Sequence, residues 1–145
     1  MNDDRCDFDI AAIKQNLNRH GRRMTTQRAA ILAALRATTS HPTAEELRIQ
    51  VQMRIPKISL GTIYRNLGVL VEEGYALRLS SPSGIHRFDG DVSEHHHAFC
   101  EVCGKVADVR LKPDPAMLRS AARMTNYNLR HRHIEFFGIC PDCAE

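Results

Sequence analysis

Apolar residues in the first half of the chain recur at helical spacing. Phe8, Ile10, Ile13 and Leu17 form a stripe over residues 8–20, and Gly21 stops it, which predicts a short first helix. A second helix is predicted to start with Thr25 or Thr26 as N-cap and to run through Ala29, Ile31, Leu32 and Leu35 to about Ala37. After His41-Pro42, Thr43 is placed to cap a third, with Glu46 completing a capping box and Leu47, Val51 and Met53 beyond. Ser59 caps a fourth whose apolar face is Ile63, Leu67, Leu70 and Val71, ending at Glu73-Gly74.

The period then changes from helical to alternating. Tyr75, Leu77 and Leu79 alternate with smaller or polar residues, Ser81-Pro82-Ser83-Gly84 supplies a turn, and Ile85-His86-Arg87-Phe88 returns as the second strand of a hairpin. Short helices followed by a two-stranded hairpin are the order of a winged helix-turn-helix, a fold that commonly binds DNA and sometimes serves as a protein docking module. Residues 1–89 are expected to form this domain, and the polar segment 90–94 a hinge. Residues 95–145 then read as strand (His97 to Cys100), turn, strand (Val106 to Arg110), helix (Pro115 to Met124) and strand (Asn128 to Ile139). The expected class is α+β, a winged helix-turn-helix followed by a small α/β domain.

Charge alters the picture through its distribution. The net charge is only +3, yet no acidic residue lies between Asp9 and Glu45, where Lys14, Arg19, Arg22, Arg23, Arg28 and Arg36 all fall. Such a block suits a polyanion, because each Lys or Arg set against a phosphate releases counterions. A solvated helix face accounts for composition alone equally well. No stretch approaches the ~20 apolar residues that span a bilayer, and the start, Met1-Asn2-Asp3-Asp4-Arg5, has no apolar signal core; the expectation is a soluble, cytoplasmic protein without a membrane partner.

The cysteines announce a metal. Cys100-Glu101-Val102-Cys103 and Cys140-Pro141-Asp142-Cys143 offer four thiolates as two close pairs, the donor set of a closed tetrahedral Zn²⁺ site, which would staple the small C-terminal domain. Disulfides, a redox dithiol or buried free thiols are the alternatives, and the reducing compartment weighs against the first. Cys6, in the acidic N-terminal tail, reads as a bystander.

A second metal signal stands just ahead of the first pair. In a strand beginning near His95, the side chains of His95 and His97 point to one face and His96 to the other. Asp89 and Asp108 lie close by in sequence, and His41 stands before the third helix. Histidine nitrogen with carboxylate oxygen favours Mn²⁺, Fe²⁺ or Zn²⁺ over softer ions, although exposed or hydrogen-bonded side chains would give the same pattern.

The fourth helix reads as a recognition helix. With Ile63 and Leu67 turned to the core, Gly61, Thr62, Arg65 and Asn66 are expected on the outer face, where Arg can fork onto guanine and Asn onto adenine in the major groove. Thr62 and Tyr64 suit phosphate, and Arg22, Thr26, Gln27, Arg28 and Ser59 complete the candidate DNA contacts. An ordinary amphipathic surface helix is the plainer reading of the same pattern.

Taken in order, Thr26-Gln27-Arg28, His41-Pro42-Thr43-Ala44-Glu45-Glu46, Thr62-Ile63-Tyr64-Arg65-Asn66-Leu67, Phe88-Asp89, His95-His96-His97, Cys100-x-x-Cys103-Gly104-Lys105 and Cys140-x-x-Cys143 resemble the ferric uptake regulator (Fur) family throughout. The resemblance implies a homodimeric, metal-dependent repressor binding a double-stranded DNA operator, with an N-terminal winged helix and a C-terminal dimerisation domain. It implies structural zinc on Cys100, Cys103, Cys140 and Cys143, and a regulatory Fe²⁺ or Mn²⁺ on His41, Asp89, His95, His97 and Asp108. Iron-sensing members usually carry Glu where this chain has Asp89, whereas the peroxide-sensing branch carries Asp there and at the position of Asp108. Zinc sensors place a Cys in that shell, and none is available here. A peroxide sensor is therefore the implied function, in which iron-catalysed reaction with H2O2 oxidises His41 or His95 and the operator is released.

Two departures from the family pattern stand out. A further histidine site on the last strand of iron sensors aligns with Arg132, flanked by His131 and His133, so any extra site would draw on Glu94, His96, His131 or His133. Arg65-Asn66 replaces the two asparagines of some peroxide sensors. The rival readings are an iron-responsive repressor of the same architecture and, in a different class, a metalloenzyme using His95, His97 and an Asp. The metalloenzyme lacks an obvious general base, so no enzymatic activity is expected.

Overall fold

In the computed structural model, which describes residues 10–144, every helix after the first begins at a side chain that accepts from a free amide of its first turn. Helix α1 spans Ile10–Arg19 and α2 Thr26–Arg36, with Thr25 as N-cap accepting from the Arg28 N–H. Helix α3, Ala44–Val51, opens on the full capping box: Thr43 Oγ1 accepts from the Glu46 N–H at 3.2 Å, and Glu46 Oε2 from the Thr43 N–H at 3.1 Å. Helix α4, Leu60–Glu72, starts at Ser59, whose hydroxyl accepts from the Thr62 N–H. The beginning of the first apolar stripe and Cys6 lie outside the described residues.

The chain divides into two units, residues 1–92 and 93–145. In the first, α1 to α4 bury Ile13, Leu17, Ile31, Leu32, Leu35, Leu47, Ile63, Leu67 and Leu70 in one core. The hairpin β1 (Leu77–Ser80) and β2 (His86–Asp89) closes it with Phe88, also buried. Gly90, the first residue of the expected hinge, is closely packed: a Cβ there would meet the Leu35 carbonyl carbon at 3.0 Å and the Arg36 amide nitrogen at 3.1 Å. The Asp91 N–H donates to Asp89 Oδ1 at 2.8 Å, so the backbone stays ordered past the hairpin.

The second unit is a three-stranded sheet of order β4-β3-β5 with one helix, α5 (Pro115–Thr125). β3 (His96–Cys100) pairs antiparallel with β4 (Val106–Val109) and parallel with β5 (Glu135–Gly138). The last strand is shorter than the 128–139 expected, because only residues 135–138 join the ladder. Asn126, at φ 57°, ends α5 in a left-handed cap.

Core material in this unit is scarce. Among the described residues, Phe99, Cys100 and Val106 are its buried apolar side chains, while α5 buries none, and Met117, Met124, Tyr127, Phe136, Phe137 and Ile139 are exposed. So small a core seldom holds a domain of this size without a staple or a partner.

Candidate metal centres and recognition surface

The zinc-knuckle turns bring four sulfurs together. Gly104, at φ 73°, lets the chain double back so that its N–H reaches the Cys100 carbonyl at 3.0 Å. The Cys143 and Ala144 N–H groups close on the Cys140 carbonyl in the same way. All four Sγ atoms lie within 4.8 Å of one another, with Cys103 and Cys140 at 3.6 Å. A tetrahedron with Zn–S bonds of about 2.3 Å has edges of about 3.8 Å, so the donor set and its spacing fit a closed zinc site.

The local charges agree with that fit. N–H groups of Cys103 and Cys140 lower the Cys100 thiol to about 6, while hydrogen bonds with the Cys140 and Cys103 thiols push Cys143 up to about 12. A divalent ion binds thiolates, so it would displace the protons that these thiols carry. Lys105 pairs with Asp142, tying one knuckle to the other, and its ammonium also faces the sulfurs of Cys140 and Cys103.

In the N-terminal unit, His41 Nε2 lies 3.4 Å from Asp89 Oδ2, and both residues are buried. His41 has φ 53°, a left-handed conformation uncommon for a side chain with a Cβ.

In the C-terminal unit, Asp108 sits opposite His97 in the β3–β4 register. Its Oδ1 is 3.1 Å from His95 Nε2 and 3.6 Å from His97 Nε2. His95 Nδ1 lies 2.7 Å from the Ser93 carbonyl, which can only accept from it, and this contact turns Nε2 toward Asp108. Each imidazole with the Asp108 carboxylate is a nitrogen–oxygen pair of the kind that suits a borderline divalent cation. His96 faces elsewhere as expected, and its Nδ1 accepts from the Ile134 N–H at 3.2 Å. His133 comes within 5.3 Å of His97, ring centre to ring centre; burial, then the charge of His97, lowers its basicity.

Sequence reasoning missed two neighbours of this cluster. Arg110 Nη2 lies 3.7 Å from Asp108 Oδ2, and the Ser93 carbonyl orients His95. The first was legible as an i, i+2 pair along β4; the second depends on a loop path that no pattern encodes.

On α4 the candidate DNA contacts divide. Arg65 and Tyr64 are exposed. Tyr64 donates to Glu45 Oε1 at 3.1 Å, and partial burial together with that bond holds its phenol above the ordinary value. Ser59 and Thr62 share a 2.9 Å hydroxyl contact at the helix start. Asn66, expected on the outer face, is 5 % exposed and donates to the Thr62 carbonyl at 2.9 Å, so it is inside the fold and cannot reach a base edge from that position. Arg22 is tied to Glu72 at 2.6 Å and Glu73 at 3.2 Å. Arg28 donates to the Arg23 carbonyl, and Thr26 and Gln27 are exposed in the first turn of α2.

Comparison with known proteins places this geometry in a family. The profile of the ferric uptake regulator family matches residues 19–137. The chain is similar to the peroxide operon regulator of Bacillus subtilis, 34 % identical over 131 residues that cover 90 % of each protein. It is also similar to the peroxide-responsive repressor PerR of Staphylococcus saprophyticus, 36 % identical over 130 residues covering 90 % of this chain and 88 % of the relative. Its fold matches the ferric uptake regulator Fur of Helicobacter pylori with a TM-score of 0.80 at 20 % identity, over 93 % of this chain and 91 % of that one. With that profile matched over residues 19–137 and relatives at 34 % and 36 % identity along most of its length, the chain belongs to the ferric uptake regulator family.

Proposed function

We propose that this protein is a metal-dependent transcriptional repressor that senses peroxide. The observation that carries this reading is the shared carboxylate oxygen of Asp108, with His95 Nε2 at 3.1 Å and His97 Nε2 at 3.6 Å, together with a second Asp, Asp89, beside His41. Aspartate in both places is the donor set of the peroxide-sensing branch, and the relatives named as peroxide-responsive support it.

In this reading His41 and Asp89, from the winged-helix unit, and His95, His97 and Asp108, from the C-terminal unit, together hold a regulatory Fe²⁺ or Mn²⁺. Residues 90–94 act as the hinge. Closing the donor set at one angle would fix the spacing of two α4 helices in a dimer, and with it the match to successive major grooves. The exposed apolar face of α5 and β5 is the homodimer surface. Cys100, Cys103, Cys140 and Cys143 hold an inert structural zinc that keeps the C-terminal unit folded. No enzymatic turnover is assigned.

Fe²⁺ held by these residues would act as a one-electron relay between the ring and hydrogen peroxide, with no net change in its own oxidation state. One peroxide oxygen is inserted at the C–H between the two ring nitrogens of His41 or His95, and the other leaves as water. The histidine is oxidised by two electrons and the peroxide reduced by two. An oxidised ring loses its donor nitrogen's basicity, the hinge is released and the operator dissociates. Mass spectrometry of Fe²⁺-loaded protein after mild peroxide should find one added oxygen on a peptide containing His41 or His95. Modification confined to cysteine would contradict the mechanism.

A further inference from the structure

Three successive residues of β2 grip the corner between α2 and α3. Arg87 Nη1 donates to the His41 carbonyl at 3.1 Å, the Phe88 N–H donates to the Pro42 carbonyl at 2.9 Å, and Asp89 Oδ2 meets His41 Nε2 at 3.4 Å. The same Arg87 nitrogen reaches Glu46 Oε2 at 3.4 Å, the carboxylate oxygen that completes the α3 capping box. Arg87 is largely buried, its side chain 12 % exposed.

The residue so held is in an unusual state. His41 combines a buried side chain with φ 53°, and such a conformation persists only where its surroundings over-determine it. A cation on the His41 carbonyl, anchored at its other contact by Glu46, is that kind of determinant: a charge-assisted bond to a carbonyl is stronger than a neutral one. Arg87 is well suited to the task because the two N–H bonds of Nη1 can serve one oxygen each and the guanidinium does not lose its charge.

We propose that Arg87 is a positioning residue for the sensing histidine: it holds the His41 backbone left-handed and couples that ring to the start of α3. The inference rests on the reading of His41 as a ligand of the regulatory metal. It gives that ligand a mechanical route into the DNA-binding unit, since the oxygen that anchors Arg87 also caps α3.

Mn²⁺ affinity of the full-length, zinc-loaded protein tests it, measured by electron paramagnetic resonance on wild type, Arg87→Ala, Arg87→Lys, His41→Ala and the Arg87→Ala/His41→Ala pair. Arg87→Ala should weaken Mn²⁺ binding by about tenfold or more, the usual effect of losing a group that orients a ligand. Arg87→Lys should recover part of the loss, and the pair should bind like His41→Ala alone. In the metal-free protein, Arg87→Ala should speed amide exchange over residues 41–46, a change independent of any bound ion. If Arg87→Ala does not fold, Glu46→Gln, which keeps the capping acceptor but removes the anchoring charge, should show an intermediate loss. Binding by Arg87→Ala within about threefold of wild type, or losses that add in the pair, would overturn the inference. Equal affinity of His41→Ala and wild type would instead remove the ligand assignment beneath it.

Discussion

His97 and Asp108 face each other across the β3–β4 ladder, and the Asp108 carboxylate oxygen that lies 3.6 Å from His97 Nε2 lies 3.1 Å from His95 Nε2 as well. One carboxylate thus organises two imidazoles on a rigid sheet. Asp108→Asn keeps the shape and halves the oxygen donors. It should lower Mn²⁺ affinity by at least about tenfold while leaving one zinc per chain, as read by metal analysis and calorimetry. Loss of zinc along with Mn²⁺ would mean that the substitution unfolds the unit.

Arg65 and Asn66 are neighbours in sequence and opposites in the fold. Arg65→Ala should leave thermal stability unchanged and cost about 1–3 kcal/mol of operator affinity if the side chain reads a base. Asn66→Ala removes a buried hydrogen bond to the Thr62 carbonyl and should cost about 1 kcal/mol of folding stability instead. Denaturant unfolding and operator titration on both variants separate the two roles.

Cys100 should ionise early in the zinc-free, reduced protein. Its folded value is about 6, below the free-thiol value of ~8.5. Because the shift is downward, its contribution to stability is present above the unfolded value and is lost as pH falls through about 6. Thiolate absorbance in the ultraviolet should show one group titrating near that pH, and Cys143 only well above it. A Cys100→Ser variant should lose the early step.

Gly90→Ala should destabilise the N-terminal unit. The added methyl would sit 3.0 Å from the Leu35 carbonyl carbon and 3.1 Å from the Arg36 amide nitrogen, and backbone cannot turn aside as a side chain can. A loss of about 1–3 kcal/mol is expected in denaturant unfolding.

Local chemistry was legible in the sequence, and long-range register much less so. The Thr43–Glu46 capping box, the Ser59 cap and the Cys-x-x-Cys turns depend on residues three or four apart, so spacing alone specifies them. Asn66 falls within the inner face, but the apolar positions that mark that face in the sequence, Ile63, Leu67, Leu70 and Val71, leave a polar residue among them reading as outward. Ile63, Asn66, Leu67 and Leu70 are the i, i+3, i+4, i+7 stripe, and a polar residue within it satisfies itself on the preceding turn. β5 was overextended because its side chains are exposed, leaving no burial alternation to mark its ends. Arg87 gave no signal, since its partner carbonyl belongs to a residue 46 positions away.

The central claim is that metal occupancy controls operator binding and that peroxide cancels it only when the metal is iron. Footprinting on the chain's own upstream DNA, with Mn²⁺ or Fe²⁺ and before or after H2O2, tests it most directly. The account predicts protection with either metal, lost after peroxide in the Fe²⁺ sample and kept in the Mn²⁺ sample. Protection that survives peroxide with Fe²⁺, or that needs no regulatory metal at all, would contradict it.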